Sequence, residues 1–202
     1  MNILAFCCAL NNTYLALEYK GSKITKTIKS DSNYHSLYLI ETIKKLFDEN
    51  NFEFKNLDII AVNLGPGSFT GIRVALVVAK VLAGELNIPI VGLNTAEILL
   101  KAYDADTLLM DARRDMYYLG DDKKIELIYK DKIENHRNKK VICDKRCKGI
   151  IENSICFEES DKDIGKVILE LAKEKYGKTE DKTQFNPLNI KANYIQTPPV
   201  FC

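Results

Sequence analysis

The feature that most constrains the fold is a glycine-rich loop, LGPGSFTGIRV at residues 64–74, between a strand-like and a helix-like segment. The segment before it, DIIAVN at 58–63, has the short apolar run of a fully buried strand. A helix is predicted for TGIRVALVVAKVLAGEL at 70–86, which begins within the last residues of the loop. A loop in this position can hold a nucleotide phosphate, present a nucleophile, or launch a helix that binds another protein.

The loop departs from the motifs of known phosphate loops. A Walker loop needs a lysine directly after its last glycine, but Ile72 follows Gly71. A dinucleotide-binding loop has the pattern G-x-G-x-x-G. Gly65 and Gly67 match its first two glycines, but Thr70 stands where the third is needed. An anion site made of backbone N–H groups, with Arg73 as a charge partner, stays open.

A catalytic serine is a second possibility for the same loop. Ser68 does not fit the G-x-S-x-G elbow, because Pro66 stands where the first glycine is needed. The simpler interpretation is structural: the glycines permit a tight turn, and Ser68 or Thr70 caps the following helix.

The first half of the chain predicts the order β-β-β-α-β-α-β-α. Alternating patterns indicate three antiparallel strands, and longer periodic patterns indicate the helices. Asn94 or Thr95 is expected to cap the third helix. The predicted strands are 2–9, 11–20, 23–30, 58–63 and 89–91, and the predicted helices are 34–49, 70–86 and about 95–103.

The second half predicts a smaller α/β unit. Three strands at 107–112, 116–121 and 124–130 are joined by turns at 113–115 and 121–122, and a further strand is expected at 140–143. An amphipathic helix is predicted at 161–176, followed by an extended tail. We expect a first lobe over residues 1–104 and a second lobe over 105–202.

The predicted helix 70–86 is apolar on nearly every side, so it should be buried on more than one side. Ala75, Ala79 and Ala83 form a shallow ridge that permits close helix approach. Two interpretations stay open: this helix and helix 34–49 satisfy each other within one domain, or together they form a surface for a partner. On the second interpretation, Ala79→Glu should abolish partner binding while the monomer stays folded.

Composition narrows the class of protein. The chain has 202 residues, a net charge of +1 and six cysteines. This balance indicates no global attraction to nucleic acid or membrane, and we expect a soluble, cytoplasmic protein with free thiols. Zinc bound by Cys143, Cys147, Cys156 and His136 is an alternative, but their spacing matches no standard zinc signature.

The loop and several other segments together resemble the bacterial TsaB family, also called YeaZ. The loop sequence GPGSFTGIR at 65–73 carries most of the resemblance. The other matching segments occur in the same order along the chain: HSLYLIETIKKLF at 35–47, DIIAVN at 58–63, NIPIVGLNTAEIL at 87–99, LLMDARRDMYY at 108–118 and NPLNIKANYI at 186–195.

The resemblance implies an actin/Hsp70-like ATPase fold of the ribonuclease H-like type, with two lobes and a reduced second lobe. It also implies a non-catalytic scaffold within the machinery that transfers a threonylcarbamoyl group to adenosine 37 of tRNAs reading codons beginning with A. The expected partners are the transferase TsaD and the ATPase TsaE, with a homodimer when TsaD is absent. A protease or ATPase activity of the superfamily type, or a standalone homodimer, is the alternative.

The resemblance implies three groups of site residues. The signature loop, with phosphate contact possible in the complex, is Gly65, Pro66, Gly67, Ser68, Phe69, Thr70, Gly71 and Arg73. The partner interface on the first two helices is His35, Leu39, Ile43, Leu46, Val74, Ala75, Val78, Ala79, Leu82 and Ala83. The second-lobe motif is Asp111, Arg113 and Arg114, for which a simple charged hairpin is the competing interpretation.

We expect no metal site, no catalytic residue and no cofactor bound by this chain alone, with ATP and Mg²⁺ used by the partners. Actin-like ATPases carry an acidic residue near the end of the first strand, but no carboxylate lies between Met1 and Glu18. The TsaB family often has aspartate at the position of Cys7. The absence of that carboxylate here argues against ATP binding by this chain alone.

A basic stretch could contact tRNA weakly or indirectly. Residues 132–148 carry seven basic and two acidic side chains. Such a stretch can bind RNA phosphates. It can equally be a solvated face, because no aromatic residues are interleaved to stack on bases.

Overall fold

A computed structural model describes residues 1–29, 38–133 and 139–195. The chain divides into two compact units. The first comprises Met1–Leu93 and Asp163–Ala192, and the second comprises Asn94–Lys162 with the described residues from Asn193 onward.

Among its described residues, the first unit contains a five-stranded mixed sheet and three α-helices. The strands are β1 (Ile3–Cys7), β2 (Thr13–Tyr19), β3 (Ser22–Ile28), β4 (Ile59–Asn63) and β5 (Ile90–Leu93), in the spatial order β3-β2-β1-β4-β5. β1, β2 and β3 form an antiparallel meander, while β4 runs parallel to both β1 and β5. The predicted strand order along the chain is confirmed.

One face of this sheet is covered by α1 (Leu39–Glu49) and α2 (Phe69–Leu86). Alternate strand residues such as Phe6, Leu15 and Val62 join the buried sides of both helices in one hydrophobic core. Side chains alternate between the two faces of a strand, so the intervening residues point the other way. Ile190, in the segment after the last helix, also joins this core.

The opposite face is covered by α4 (Ile164–Lys178), which packs across all five strands. Three alanines lie in register across the middle of this face, because Ala5 pairs with both Ala16 and Ala61. Gly165 faces them, and a Cβ atom built there would lie 3.2 Å from the Cβ of Ala16. Small side chains on both partners therefore allow the helix to lie close against the sheet.

The second unit contains another five-stranded mixed sheet, in the order β10-β9-β6-β7-β8. The strands are β6 (Thr107–Arg113), β7 (Met116–Gly120), β8 (Ile125–Tyr129), β9 (Val141–Cys143) and β10 (Ile155–Cys156). Helix α3 (Thr95–Tyr103) packs on β6 and β9. Asn94 caps it through a reciprocal box, since Glu97 N donates to Asn94 Oδ1 at 2.7 Å and Asn94 N donates to Glu97 Oε2 at 2.6 Å.

The two units differ from the predicted lobes at both boundaries. The first unit ends at Leu93 rather than 104, so α3 belongs with the second sheet. Helix α4, assigned from sequence to the second lobe, belongs to the first unit. The physical reason is its apolar side, which packs on β1 to β5, a partnership between segments far apart in sequence.

Two further points concern single elements. The described part of the first helix begins at Leu39, and its predicted start at residue 34 lies outside the described residues. The short strand β10 was not predicted, because a two-residue strand leaves no periodic pattern. Within the described ranges, none of the helices combines the length and apolarity needed to cross a bilayer.

Candidate functional site

The signature loop packs backbone against backbone on the turn that follows β1. A Cβ atom built on Gly71 would lie 1.8 Å from the carbonyl oxygen of Cys8, and one built on Gly67 would lie 2.2 Å from that of Ala9. Ser68 N donates a hydrogen bond to Ala9 O at 2.8 Å. The glycines therefore serve close approach between two segments of the chain.

Hydrogen bonds and one special backbone conformation fix the rest of the loop. Gly65 has φ of 102°, a conformation that glycine adopts readily. Its N–H donates to Asn63 Oδ1 at 2.6 Å, and the peptide bond to Pro66 is cis. The Ser68 hydroxyl accepts from Gly71 N at 3.3 Å and caps α2, as the structural interpretation of the sequence predicted.

The turn beneath the loop is buried and apolar. Cys7, Cys8, Ala9 and Leu10 are all almost fully buried. Desolvation raises the pKa of Cys7 to about 11, although hydrogen bonds from the backbone of Ala9 and Leu10 and from the Asn63 side chain partly oppose it. Desolvation likewise raises the pKa of Cys8 to about 12. Both thiols are therefore protonated at neutral pH.

Most of the predicted interface residues lie in the core of the first unit, which corrects the sequence-based assignment. Val74 and Leu82 are only partly buried, and His35 lies outside the described residues. A partner cannot reach a fully buried side chain without unfolding the helix. The buried members of the predicted set are Leu39, Ile43, Leu46, Ala75, Val78, Ala79 and Ala83.

The sequence could not make this distinction because α2 is apolar on almost all sides. The alanine ridge was assigned to a partner surface, but its small side chains instead face the core that α2 shares with α1 and the sheet. Close approach within the fold is the physical reason for alanine at these positions.

A different side of α2 is apolar and exposed. Phe69, Val77 and Val81 are 52%, 60% and 65% exposed, and Arg73 completes a row spaced four residues apart. The Arg73 guanidinium lies 3.9 Å from the centre of the Phe69 ring. We call these four residues the α2 stripe. On and beside α1, Tyr38 and Ile40 are also more than half exposed.

The second-lobe motif forms the hairpin between β6 and β7. The Asp111 carboxylate accepts from Arg113 N at 2.9 Å and from Arg146 Nη1 at 2.7 Å. Burial acts to raise the pKa of Asp111, but the hydrogen bonds from Arg146 and Arg113 outweigh it and hold that pKa below its usual range. Arg113 and Arg114 are exposed.

Asp144 is a second carboxylate at this hairpin, and sequence reasoning missed it. Its Oδ2 accepts from Asp111 N at 2.8 Å, and its Oδ1 accepts from Cys147 N at 2.9 Å. It is only 8% exposed, so it joins β6 to the turn after β9 from within the fold. The available signal was its place directly after the predicted strand 140–143.

The cysteines of the second unit lie in its hydrophobic core. Cys143, Cys147 and Cys156 are all buried, and desolvation is the largest cause that raises the pKa of each. Across the part of the chain that the structure describes, no group of three histidine, cysteine or acidic side chains is placed to hold a metal ion. His136, the fourth ligand in the zinc alternative, lies outside that part.

The chain matches the family model described as "TsaD: tRNA N6-adenosine threonylcarbamoyltransferase" over residues 26–142. It is 36% identical to the tRNA threonylcarbamoyladenosine biosynthesis protein TsaB of Buchnera aphidicola subsp. Baizongia pistaciae, over 48% of this chain and 44% of that one. It is 25% identical to the TsaB of Buchnera aphidicola subsp. Acyrthosiphon pisum, over 89% of this chain and 76% of that one. The match to the first thus spans less than half of that relative.

The fold has a close counterpart among solved structures. A crystal structure from Pseudomonas aeruginosa, of an uncharacterized protein with similarity to peptidase YEAZ, superimposes with a TM-score of 0.77. The two chains are 19% identical, and the match covers 96% of this chain and 99% of that one. The expected α/β fold of the actin/Hsp70-like type is confirmed. Matching segments, family model and fold agree, and the chain belongs to the TsaB (YeaZ) family, within the wider group that the TsaD model describes.

Proposed function

We propose that this protein is a non-catalytic scaffold in tRNA threonylcarbamoyladenosine biosynthesis, and that it binds the transferase TsaD through the α2 stripe. TsaD transfers the threonylcarbamoyl group to adenosine 37, TsaE joins the assembly as its ATPase, and ATP and Mg²⁺ are used by these partners. Family membership supports the pathway. The exposed row Phe69, Arg73, Val77 and Val81 is the observation that supports the binding surface.

The chemistry of the stripe favours a protein partner. Exposed apolar side chains in a continuous row on one helix are typical of interaction sites. Arg73 lies over the Phe69 ring, so its charged group is held beside an apolar contact area. Tyr38 and Ile40, exposed at the start of α1, would extend such a surface within the same unit. A hydrophobic groove on the partner could then receive α2 and bury Val77 and Val81.

The loop has a supporting role in this proposal. Its glycines set the start of α2 against the turn after β1, and Ser68 caps the helix. The loop thus fixes where Phe69 and Arg73 stand. The engagement of the Ser68 hydroxyl as a helix cap gives no support to the alternative of a catalytic serine.

The test is modification of unmodified tRNA by purified TsaD, TsaE, the donor-forming synthase and ATP, with and without this protein. We expect modification only when the protein is present, and none with Val77→Asp. Leu188→Asp is the matched control, because Leu188 is an equally apolar residue that is 83% exposed in the same unit but lies off α2.

Size-exclusion chromatography with TsaD then shows whether the α2 stripe binds TsaD or a second copy of this chain. A complex with TsaD that Val77→Asp disrupts supports the proposal. Modification that proceeds equally well without the protein contradicts it. A homodimer that persists in excess TsaD would favour the standalone alternative.

A further inference from the structure

We propose that the tip of the β6–β7 hairpin, residues 113–115, is a phosphate-binding site for an RNA backbone, with Arg113 and Arg114 as the anion ligands. The choice of RNA as the source of the phosphate rests on the proposed function. The site lies wholly within the second unit, whereas the α2 stripe belongs to the first.

The backbone of the tip is strained in a way that the sequence does not relieve. Arg113, Arg114 and Asp115 have φ of 67°, 54° and 59°, three successive non-glycine residues in the left-handed region. Arg113 pairs with Met116, so Arg114 and Asp115 form a two-residue turn. Such turns need positive φ at both positions and favour Asn-Gly or Asp-Gly. Arginine here brings strain without a conformational benefit, which indicates that its side chain serves another purpose.

The base of the hairpin is fixed by buried and partly buried carboxylates. The Asp144 carboxylate accepts a hydrogen bond from Asp111 N. The Asp111 carboxylate in turn accepts hydrogen bonds from Arg113 N and from the Arg146 guanidinium. These bonds determine the path of the chain up to the tip. The two exposed guanidiniums are therefore presented from a preorganised support, which lowers the entropy lost on binding an anion.

The topology places other basic residues at the same end of the sheet. β9 runs parallel to β6, so the turn with Lys145 follows β9 beside Asp111. Tyr129 pairs with Met116, so Lys130 follows β8 next to the hairpin. Acidic side chains are present too: Asp111 pairs with Arg146, Lys148 pairs with Glu159, and Asp115 stands in the tip itself. The tip is therefore a local anion contact rather than a broad basic face.

The predicted basic stretch 132–148 does not act as one patch. Lys139 and Lys140 precede β9, while Lys145, Arg146 and Lys148 follow it, so the strand separates the two groups. Only the second group lies at the end of the sheet that carries the hairpin.

The chemistry of the ligand follows from the shape and the groups. Guanidiniums bind phosphate oxygens through paired, charge-assisted hydrogen bonds. An exposed hairpin tip can contact the backbone of a folded RNA, whereas single nucleotides are usually held in concave pockets. Phosphate contact positions an RNA without reading its sequence.

The experiment measures fluorescence anisotropy of a labelled, unmodified anticodon stem-loop RNA titrated with the full chain, alone and in its TsaD complex, over a range of salt. For Arg114→Gln we expect about fivefold weaker binding and a salt slope lower by about one. Asp115→Asn should bind more tightly, because it removes a charge that repels phosphate. Lys123→Gln is the matched control: it removes one charge from the hairpin turn between β7 and β8, at the opposite end of the sheet, and should bind as the wild type does.

Arg114→Gly separates function from structure. Glycine relieves the left-handed strain, so its melting temperature should rise by about 2–4 °C while RNA binding weakens. A glycine variant that binds RNA as the wild type does, or a Lys123→Gln variant that weakens as much as Arg114→Gln, overturns the proposal. Arginine-dependent binding of ATP with no binding of the RNA overturns the choice of ligand.

The outcomes for this site and for the α2 stripe are independent. If Val77→Asp leaves TsaD binding intact but the chain alone still binds RNA through Arg114, the proposed scaffold surface fails and the hairpin site stands. If TsaD binding depends on Val77 but no state of the protein binds RNA through the tip, the hairpin site fails and the scaffold stands.

Discussion

Lys173 of α4 donates a hydrogen bond to Glu18 of β2 across 2.6 Å. The Glu18 side chain is 5% exposed and that of Lys173 is 54% exposed, so the pair joins a buried carboxylate to a cation at the surface. The second carboxylate oxygen of Glu18 has no hydrogen-bond partner among the described residues. Two more polar contacts hold the same helix to the sheet edge: Lys23 with Glu170, and Thr25 with Asp163.

Lys173→Met should destabilise the first unit, because it leaves a buried carboxylate without its cation. We expect a loss of about 1–3 kcal/mol in the free energy of unfolding, below the usual range for fully buried pairs because Lys173 is partly solvated. Urea unfolding measures the loss. Lys178→Met is the control in the same helix: its pair with Glu174 is exposed and should contribute less than about 0.5 kcal/mol. The double variant Glu18→Met with Lys173→Met should recover most of the loss, and equal losses in all three variants would contradict this account.

Gly71→Ala should be far more damaging than its chemistry suggests. The added methyl group would lie 1.8 Å from Cys8 O, a backbone atom that cannot move aside. We expect a loss of more than about 2 kcal/mol or no folded protein. Gly84→Ala in the same helix is the comparison, since nothing lies within 4 Å of its added atom. That change should stabilise the protein by about 0.5–1 kcal/mol. Similar thermal melting curves for the two variants would refute the packing role of the loop.

Val77→Asp and Ala79→Asp should have opposite profiles although they lie two residues apart. Val77 is exposed, so its variant should melt like the wild type and lose partner binding. Ala79 is fully buried, so a carboxylate there should unfold the first unit. Circular dichroism and a TsaD binding assay on both variants test this. It replaces the sequence-based expectation that a charge at Ala79 leaves the monomer folded.

The protein should lose stability in alkaline solution. Cys7 and Cys8 ionise near pH 9 when the chain is unfolded, but burial raises their folded pKa values to about 11 and about 12. The unfolded state therefore binds fewer protons than the folded state above pH 9, and stability falls as pH rises through this window. Below pH 9 the two thiols contribute no pH dependence. Urea midpoints from pH 7 to 11 measure the effect. The Cys8→Ala variant should show a smaller alkaline slope, and an unchanged slope would exclude this thiol as a cause.

Local patterns predicted the elements of the first unit well. Tyr14, Ala16 and Glu18 alternate with Leu15 and Leu17, and the two sets indeed face opposite sides of the sheet. In the second unit, the turns at 113–115 and 121–122 were also identified, because charged and turn-forming residues interrupt the strand pattern there. Such signals lie within a few residues of each other and survive in any tertiary context.

Two conclusions could not be reached from local patterns. An all-apolar helix gives no sign of which side meets the sheet, so the alanines of α2 were assigned to a partner and the α2 stripe was not recognised. The sheet on which α4 packs could not be predicted either. Ala5, Ala16 and Ala61, which let α4 lie close, are brought together by strand pairing between distant segments of the chain. Which surface a helix buries is a tertiary property, and the periodic pattern constrains it only when the helix has a polar side.

The return of α4 to the first sheet has a consequence for biosynthesis. Most of the second unit, residues 94–162, lies between β5 and α4 in the sequence, so a ribosome completes this segment before it makes the helix that covers the first sheet. Domains usually fold in order from the N-terminus as they emerge. Here that order is reversed: residues 94–162 of the second unit are made first, and the alanine row of the N-terminal sheet stays uncovered until α4 has been synthesised.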